Sequence, residues 1–305
     1  MIWNTLLLAL RAIRRNLMRS FLTVLGIVIG VSAVITMVTL GNGATRAISD
    51  QVTSLGSNLV TIRPGARMGP GGGAGAAAFN EADVEAISNQ IAGLAAVAPQ
   101  SNQTATVVVA ANNWNTQVTG TTGSYFTAAA WKLAAGRFFS ESEERAGKAV
   151  CVIGDTVRRE LYGKTDPIGS ELRVKRFSCE VVGVLASKGQ TAFGSDQDDT
   201  VVLPLRTLQR RLSGNQDVRA ILVSVKDGVA MEAVKDELAL LMRERRRIVD
   251  GEEDNFNIVD TKQIAETLSS TTRLLTSLLG AVAAVSLLVG GIGIMNIMLV
   301  SVTER

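Results

Sequence analysis

Two long runs without a charged residue constrain this chain more than any other feature. The first covers residues 21–40 and the second covers residues 274–303. Twenty helical residues span roughly 30 Å, which is about the thickness of the hydrocarbon core of a bilayer. A secretory signal is the alternative for the first run, but its apolar part is usually only about 7–15 residues long. The sequence therefore predicts two transmembrane helices, at 21–40 and 274–303.

The charge that precedes the first run sets the orientation of the chain. Residues 1–20 carry no acidic side chain, and positive residues beside a span mark its cytoplasmic end. The N-terminus is therefore expected in the cytoplasm and residues 41–273 in the periplasm or extracellular space, in a multi-pass protein of the cell (inner) membrane. The excess of basic over acidic residues lies in this N-terminal segment, which we call the basic collar, and not on a face of a folded domain. No binding of nucleic acid is therefore expected. The positive residues of the basic collar are Arg11, Arg14, Arg15 and Arg19.

Segment 1–20 also has an apolar period. Its large apolar side chains recur every three or four residues, which is typical of an amphipathic helix. We expect this segment to lie in the cytoplasmic interface of the bilayer, and a frayed basic tail is the alternative. The apolar positions are Trp3, Leu6, Leu7, Leu10, Ile13 and Leu17.

Composition excludes most enzyme classes. The chain has no histidine and only two cysteines, so nucleophile–histidine pairs, histidine bases and histidine-ligated metals are excluded. Two cysteines cannot build a zinc site by themselves. We therefore predict no catalytic residue, cofactor or metal ligand in this chain. Cys151 and Cys179 lie in the external region, where a disulfide is permitted, and two buried free thiols are the equal alternative.

Small and polar residues within the two runs suggest helix packing. Gly26, Gly30 and Ala33 fall on one helical face, and the two glycines form a GxxxG pattern that lets two backbones approach closely. Asn296 carries an amide that is costly in lipid and is expected to bond to another helix. Glycine is common in membrane helices, so the GxxxG pattern alone is weak evidence of dimerisation.

The external region alternates strand and helix patterns, which predicts an α+β domain of two lobes. The order is a βαβ unit, a strand-rich insertion at about 115–215, and a second βαβ unit, which indicates a porter-like lobe with an inserted lobe. Strands are predicted at 59–62, 104–110, 117–120, 149–153, 171–174, 179–185, 200–203, 219–225 and 255–259. Helices are predicted at 80–94, 156–162, 205–212 and 230–248.

Two charged clusters are interpreted as solvated surface rather than as sites. The acidic cluster lacks the glycine and the distal glutamate of a calcium loop. The arginine cluster ends a predicted helix, where positive charge complements the helix dipole, and docking of a partner is its alternative function. The clusters are Asp196, Asp198 and Asp199, and Arg243, Arg245, Arg246 and Arg247.

Three stretches carry a resemblance to a known family. The first stretch is RRNLMRSFLT at 14–23, followed by LGI and IGV. The second contains VIG at 152–154, ELYG, DPIG and VGVL at 182–185. The third is GGIGIMNIMLVSVTER at 290–305. Through these stretches the whole chain resembles the permease of MacB-type ATP-binding-cassette (ABC) exporters, within the FtsX-like permease group.

The resemblance implies a dimeric permease with four spans per subunit and a two-lobed external domain between spans one and two. Two cytoplasmic ATPase subunits would bind ATP and Mg²⁺, and the membrane helices would transmit their movement outward, which is called mechanotransmission. The implied partners are the ATPase, a second copy of the permease, the lipid bilayer and, in Gram-negative relatives, a periplasmic adaptor and an outer-membrane duct.

The chain departs from the family pattern at both ends. Met1 lies too near the first span for a preceding ATPase domain, so the ATPase is expected on a separate chain. The family continues past the second span, so the permease is expected to be truncated here. The coupling segment would begin at Ser301, Thr303, Glu304 and Arg305.

Other functions fit the same topology. Lipoprotein release and control of cell-wall hydrolases are alternatives to efflux of drugs or peptides within the permease group. A two-span membrane sensor is the rival from another class, because two spans around an external domain are also a receptor topology. A membrane-anchored hydrolase is disfavoured by the lack of histidine and of a nucleophile motif.

Overall fold

The computed structural model of this chain describes residues 17–55, 58–65, 76–191, 194–249 and 251–303. It divides into two compact units. One unit consists of residues 50–265, and the other consists of residues 1–49 together with 266–305. The first unit covers most of the predicted external region. The predicted interfacial helix lies mainly outside the described residues, as do Glu304 and Arg305.

The domain of residues 50–265 is an α+β domain, as the sequence predicts. The strands are β1 (Leu59–Pro64), β2 (Leu94–Val109), β3 (Asn112–Thr121), β4 (Leu133–Gly136), β5 (Val150–Ile153), β6 (Glu171–Val174), β7 (Phe177–Leu185), β8 (Thr200–Pro204), β9 (Ala220–Val225) and β10 (Phe256–Asp260). The helices are α1 (Leu17–Leu55), α2 (Glu81–Gln90), α3 (Ser124–Ala128), α4 (Glu141–Ala146), α5 (Asp155–Tyr162), α6 (Leu205–Leu208), α7 (Met231–Arg245) and α8 (Thr261–Thr303). A π-helical turn, Gln209–Ser213, follows α6.

The described strands form one continuous sheet in the order β10-β1-β9-β2-β3-β8-β5-β7-β4, and β6 pairs with β2 and β7. Strand β2 is 16 residues long and links the two halves of this sheet. Its first part pairs with β9, and its second part pairs with β3 and β6. The boundary predicted near residue 115 falls inside β3, so the two lobes share one sheet and differ in their hydrophobic clusters.

Three hydrophobic clusters cover the sheet. The first-lobe cluster packs α2 and α7 on β1 and β9, with Ile62, Ile87 and Leu238 fully buried. The inserted-lobe cluster packs α5 on β2, β3, β5 and β7. A third cluster, which contains Phe126 and Trp131, lies around α3 and the strands where the two lobes meet. Burial of these apolar side chains is the main favourable term in folding such a domain.

The helices and strands with a clear sequence pattern are confirmed, whereas those with a weak pattern were missed. Asn80 caps α2 in a reciprocal capping box with Asp83, in which each side chain accepts a bond from the other residue's backbone N–H at 2.9 and 3.0 Å. The predicted helix at 205–212 is a single α-turn that continues as a π-helical turn. The sequence prediction omitted the first part of β2, the short strand β4, and the helices α3 and α4.

Helices α1 and α8 contain the two uncharged runs. They carry exposed apolar side chains, such as Phe21 at 62% and Leu274 at 71% exposure. Across the residues that the structure describes, however, no helix combines the length and apolarity that crossing a membrane requires. The spans at 21–40 and 274–303 therefore stay predictions from the full sequence.

The two cysteines form a disulfide, which decides between the alternatives that the sequence left open. Cys151 lies on β5 and Cys179 on β7, with their Cα atoms 5.8 Å apart and the two residues 28 positions apart in the sequence. The two strands are parallel neighbours in the sheet. Both residues are essentially unexposed and belong to the inserted-lobe cluster, which Trp114 also contacts. The bond therefore closes a loop through the core of the inserted lobe.

Removal of this disulfide should destabilise the inserted lobe. The double variant Cys151→Ala/Cys179→Ala frees a loop whose closure entropy corresponds to about 3 kcal/mol. We expect a lower thermal midpoint, measured by tryptophan fluorescence because Trp114 packs against the hydrophobic cluster that contains the bridge. Reduction should lower the wild-type midpoint by a similar amount and leave that of the variant unchanged. Equal midpoints for the oxidised wild type and the variant would contradict a stabilising bridge.

Candidate functional site

Among the described residues, no group of three or more histidine, cysteine, aspartate or glutamate side chains could hold a metal ion. Both cysteines are consumed by the disulfide. The side chains that bear chemistry instead connect one segment of the domain to another, as the two charged clusters illustrate.

The acidic cluster holds a loop in place, so its interpretation as solvated surface was wrong. Asp198 is only 4% exposed, and it accepts bonds from the backbone N–H groups of Lys188 and Gly189 at 2.8 and 3.0 Å. It also accepts a short bond from the Ser187 hydroxyl. These donors satisfy a buried carboxylate that would otherwise be costly. The neighbouring acids do the same: Asp196 accepts from Thr156, and Asp199 from the Trp114 indole.

The loop that Asp198 fixes carries a half-buried lysine. Lys188 donates to the Ala129 carbonyl at 2.6 Å, and its ammonium lies 4.3 Å from the centre of the Trp131 ring. Burial lowers the pKa of Lys188 to about 8, although the nearby Asp198 carboxylate acts in the opposite direction. The lysine therefore ties its loop to the third hydrophobic cluster, to which Trp131 belongs.

Most of the arginine cluster is also anchored, which corrects its interpretation as a solvated helix end. Arg243 pairs with Asp254, and Arg245 pairs with Asp83 at 2.6 Å. Arg246 stacks 4.9 Å from the Phe79 ring centre and donates to Ala77 O and Asn255. Arginine suits this role because its planar group can pair and stack at once. The C-terminal end of α7 is thus fastened to α2 and to the segment before β10.

A cleft of about 600 Å³ lies beside α2 and α4. Its charged lining is partly neutralised within the chain, because Glu141 pairs with Arg145 and Glu81 lies 3.9 Å from Arg206. The Glu144 carboxylate accepts from the Gly123 N–H at 2.7 Å, and burial raises the pKa of Glu144. The apolar lining comes from Val84, Val97, Pro99 and Leu205. The cleft is amphipathic, without a set of converging reactive groups.

The structure describes only some of the residues predicted to pack between helices. A Cβ added at Gly26 meets no described atom within 4 Å. The close approach lies instead at Gly41, where an added Cβ would come 2.5 Å from the Thr276 hydroxyl oxygen. Gly30 is half-buried. The side chains of Ala33, Asn296, Ser301 and Thr303 lie outside the described residues, so their roles stay predictions.

The fold and sequence can now be compared with known proteins. The family of the MacB-like periplasmic core domain matches residues 20–241. This chain belongs to that family. The match confirms the resemblance seen in the sequence, and it identifies the α+β domain as a periplasmic domain of a membrane protein of the ABC transporter class. The family is a transporter component with no catalytic activity assigned to it.

Two similar proteins share one name. The macrolide export ATP-binding/permease protein MacB of Azoarcus sp. is 43% identical over 299 residues, covering 97% of this chain and 44% of that protein. The protein of the same name from Bdellovibrio bacteriovorus is 42% identical over 301 residues, covering 95% of this chain and 45% of that protein. This chain therefore spans about half the length of the curated relatives it matches.

Solved structures show the same fold. The periplasmic region of MacB from Actinobacillus actinomycetemcomitans aligns with a TM-score of 0.61 at 21% identity, covering 71% of this chain and 95% of that one. The extracellular domain of YknZ, a noncanonic ABC-type transporter from Gram-positive bacteria, aligns with a TM-score of 0.54 at 18% identity. It covers 67% of this chain and 100% of its own.

Sequence reasoning missed the long-range partners in this MacB-like domain. It named the basic residues at the end of α7 but not the acids that they meet, and it gave no role to Lys188, Lys235 or Asp260. Local signals exist for some of these residues. Asp260 directly precedes a helix, which is the preferred position for a capping aspartate.

Lys188 should make stability depend on pH in the alkaline range. Its pKa falls from 10.5 to about 8 on folding, so the folded state binds fewer protons between these values, and stability should rise with pH across that window. Lys188→Met should remove this rise. The measurement is urea unfolding of both proteins at pH 7.5 and 9.5, followed by tryptophan fluorescence.

The exposed Lys132 provides a matched control. Lys132→Met should retain the rise in stability that wild type shows between the two pH values. Equal pH dependence in wild type and Lys188→Met would show that the buried ammonium does not lose its proton in this range.

Proposed function

We propose that this chain is the permease part of a MacB-type ABC exporter. ATP hydrolysis by an associated ATPase would move the membrane helices, and their movement would be transmitted to the periplasmic domain to drive efflux. The chain itself would perform no catalysis. ATP and Mg²⁺ would bind to the ATPase, on the separate chain that we expect from the sequence or in another part of a longer polypeptide, as the relatives' names suggest.

One observation carries the proposal: the domain begins and ends on neighbouring strands that join directly to the two apolar helices. Strand β1 follows α1 within four residues, and β10 runs into α8 without a linker. The two strands are antiparallel partners, with Val60 opposite Asp260. A domain inserted between two membrane helices needs its ends together, and this pairing supplies that arrangement.

The uncharged runs support a membrane location for the helices. Both helices expose large apolar side chains over most of their uncharged length, including Ile29, Ile35, Leu278 and Leu288. Exposed apolar surface of this extent marks contact with a membrane or another protein. Together with the basic collar, it favours a cytoplasmic N-terminus, spans at 21–40 and 274–303, and a periplasmic domain between them.

The partners follow from the same proposal. They are the ATPase, a second copy of the permease, the lipid bilayer and, if the envelope has an outer membrane, a periplasmic adaptor and an outer-membrane duct. The open surface around Gly26 suits a contact with the second copy. Because the curated relatives are named for macrolide export, macrolides are the first substrates to test.

The ATPase partnership is tested by co-purification. The full-length gene product, expressed with the ATPase encoded beside it and the candidate adaptor, should form a stable complex in lipid nanodiscs. ATP hydrolysis by that complex should respond to the adaptor, as measured by phosphate release. An ATPase variant that cannot hydrolyse ATP is the control. A full-length gene product that neither contains an ATPase domain nor binds a separate ATPase would contradict the proposal and favour the sensor alternative.

The dimer contact is tested at Gly26. The variant Gly26→Leu should fold normally, because a Cβ added there meets no described atom within 4 Å. It should weaken the dimer, because a large side chain separates helices that pack at small residues. Mass photometry of the nanodisc complex measures the dimer fraction.

Gly43 is a matched control on the same helix, since a Cβ added there also meets no described atom within 4 Å. Gly43→Leu should leave the dimer fraction at its wild-type value. A wild-type dimer fraction in Gly26→Leu would exclude Gly26 from the contact between copies.

A further inference from the structure

Two polar residues are buried where the sheet becomes a helix. Strand β10 ends at Asp260 and α8 begins at Thr261, with no residue between the two elements. Asp260 is 3% exposed and Thr261 is 8% exposed. Aspartate is rarely buried unless it is paired, so these positions require partners.

Asp260 bonds to two different elements through its two carboxylate oxygens. One oxygen accepts a short bond from the backbone N–H of Gln263 and thereby caps the first turn of α8. The other accepts from the Lys235 ammonium on α7 at 2.9 Å. Lys235 is itself largely buried, with its side chain 17% exposed. A single carboxylate therefore holds the start of α8 against α7.

Thr261 adds a bond in a third direction. Its hydroxyl donates to the carbonyl of Leu59 on β1 at 3.0 Å, although the two residues are 202 positions apart. The adjacent pair, Val60 and Asp260, is in register in the β1–β10 ladder. The first turn of α8 is thus bonded to the strand that follows α1, as well as to α7.

Such contacts resist sliding. Apolar surfaces can shift against each other with little change in buried area, whereas a hydrogen bond weakens steeply with distance and angle. Screening by solvent is weak for a buried ion pair, so the contact keeps its strength at physiological salt. The start of α8 is therefore held in a fixed position relative to β1 and α7.

We propose that Asp260, Lys235 and Thr261 are positioning residues that couple movement of α8 to the periplasmic domain. The inference rests on the proposed function. Displacement of α8 would pull on β1 and β10 at the sheet edge through Thr261 and the strand itself, and on α7 through Lys235. Loss of the three contacts would leave the domain folded but would weaken the coupling of α8 to β1 and α7.

The same helix α7 offers a matched control. Arg245 on α7 pairs at 2.6 Å with Asp83, which is 6% exposed and caps α2. This second pair also joins a buried capping aspartate to a basic residue of α7. It differs in that α2 is an internal helix of the domain, not one of the two helices that contain the uncharged runs.

The test compares Lys235→Met/Asp260→Asn with Arg245→Met/Asp83→Asn in the full-length gene product, co-expressed with its ATPase and adaptor. Erythromycin resistance of cells that lack their own exporters reports efflux, and phosphate release from the purified complex reports ATP hydrolysis. We expect the first variant to retain hydrolysis within about twofold and to lose resistance at least fourfold. The second variant should retain both, with a similar fall in thermal midpoint.

Two further variants keep the test decisive if the first misfolds. Thr261→Val removes only the bond to Leu59. It should lower resistance while the rate of ATP hydrolysis stays at the wild-type value. Lys235→Arg keeps the ion pair and should retain resistance.

Wild-type resistance in both Lys235→Met/Asp260→Asn and Thr261→Val would overturn the inference. An equal loss of resistance in the control variant Arg245→Met/Asp83→Asn would also overturn it. In both cases the wild-type exporter would still work, so the proposed function would stand. Absence of ATP-dependent resistance from the wild type would overturn both.

Discussion

The antiparallel pairing of β1 with β10 is the constraint on which the rest of the structure depends. It places residues about 200 positions apart in direct register, with Val60 opposite Asp260 and Pro64 opposite Phe256. The pairing closes the domain as a loop between two helices, so everything between these strands can fold as an independent body. Strand β9 then pairs with the other edge of β1 and links this closure to the rest of the sheet.

Strand β2 extends that closure into the inserted lobe. Its first half continues the first-lobe sheet beside β9, and its second half forms a hairpin with β3. One long strand therefore contributes residues to the hydrophobic clusters of both lobes. Its path through the sheet fixes the position of one lobe relative to the other. Sequence reasoning placed this strand only at 104–110. The first half of the strand contains several alanine and polar residues as well as Pro99, and a proline argues against a central strand. Packing against β9 overrides these local preferences.

The sequence predicted what is local and could not predict what is distant. β-branched runs such as β5 and β8 and the capping box at Asn80 have recognisable patterns, and they appear as expected. The partners of Arg245 and Asp198 lie far along the chain or depend on a loop path, and a charged residue carries no sign of which opposite charge it will meet. The disulfide was undecidable for the same reason, since only the pairing of β5 with β7 brings the two thiols together. Packing between subunits is a further step away from local pattern.

Two of the buried polar residues lie where the domain continues into helix α8. Most of the described core is apolar, and apolar contacts tolerate small shifts between packed elements. At the end of β10 the buried residues are instead Asp260 and Thr261, whose bonds run to α7, to β1 and to the first turn of α8. Replacing a whole buried ion pair such as Lys235 and Asp260 with well-packed apolar side chains would often cost little stability. The replacement would remove directional bonds, however. Such bonds fix the position of the domain relative to the start of α8, which the attachment of a domain to a moving helix requires.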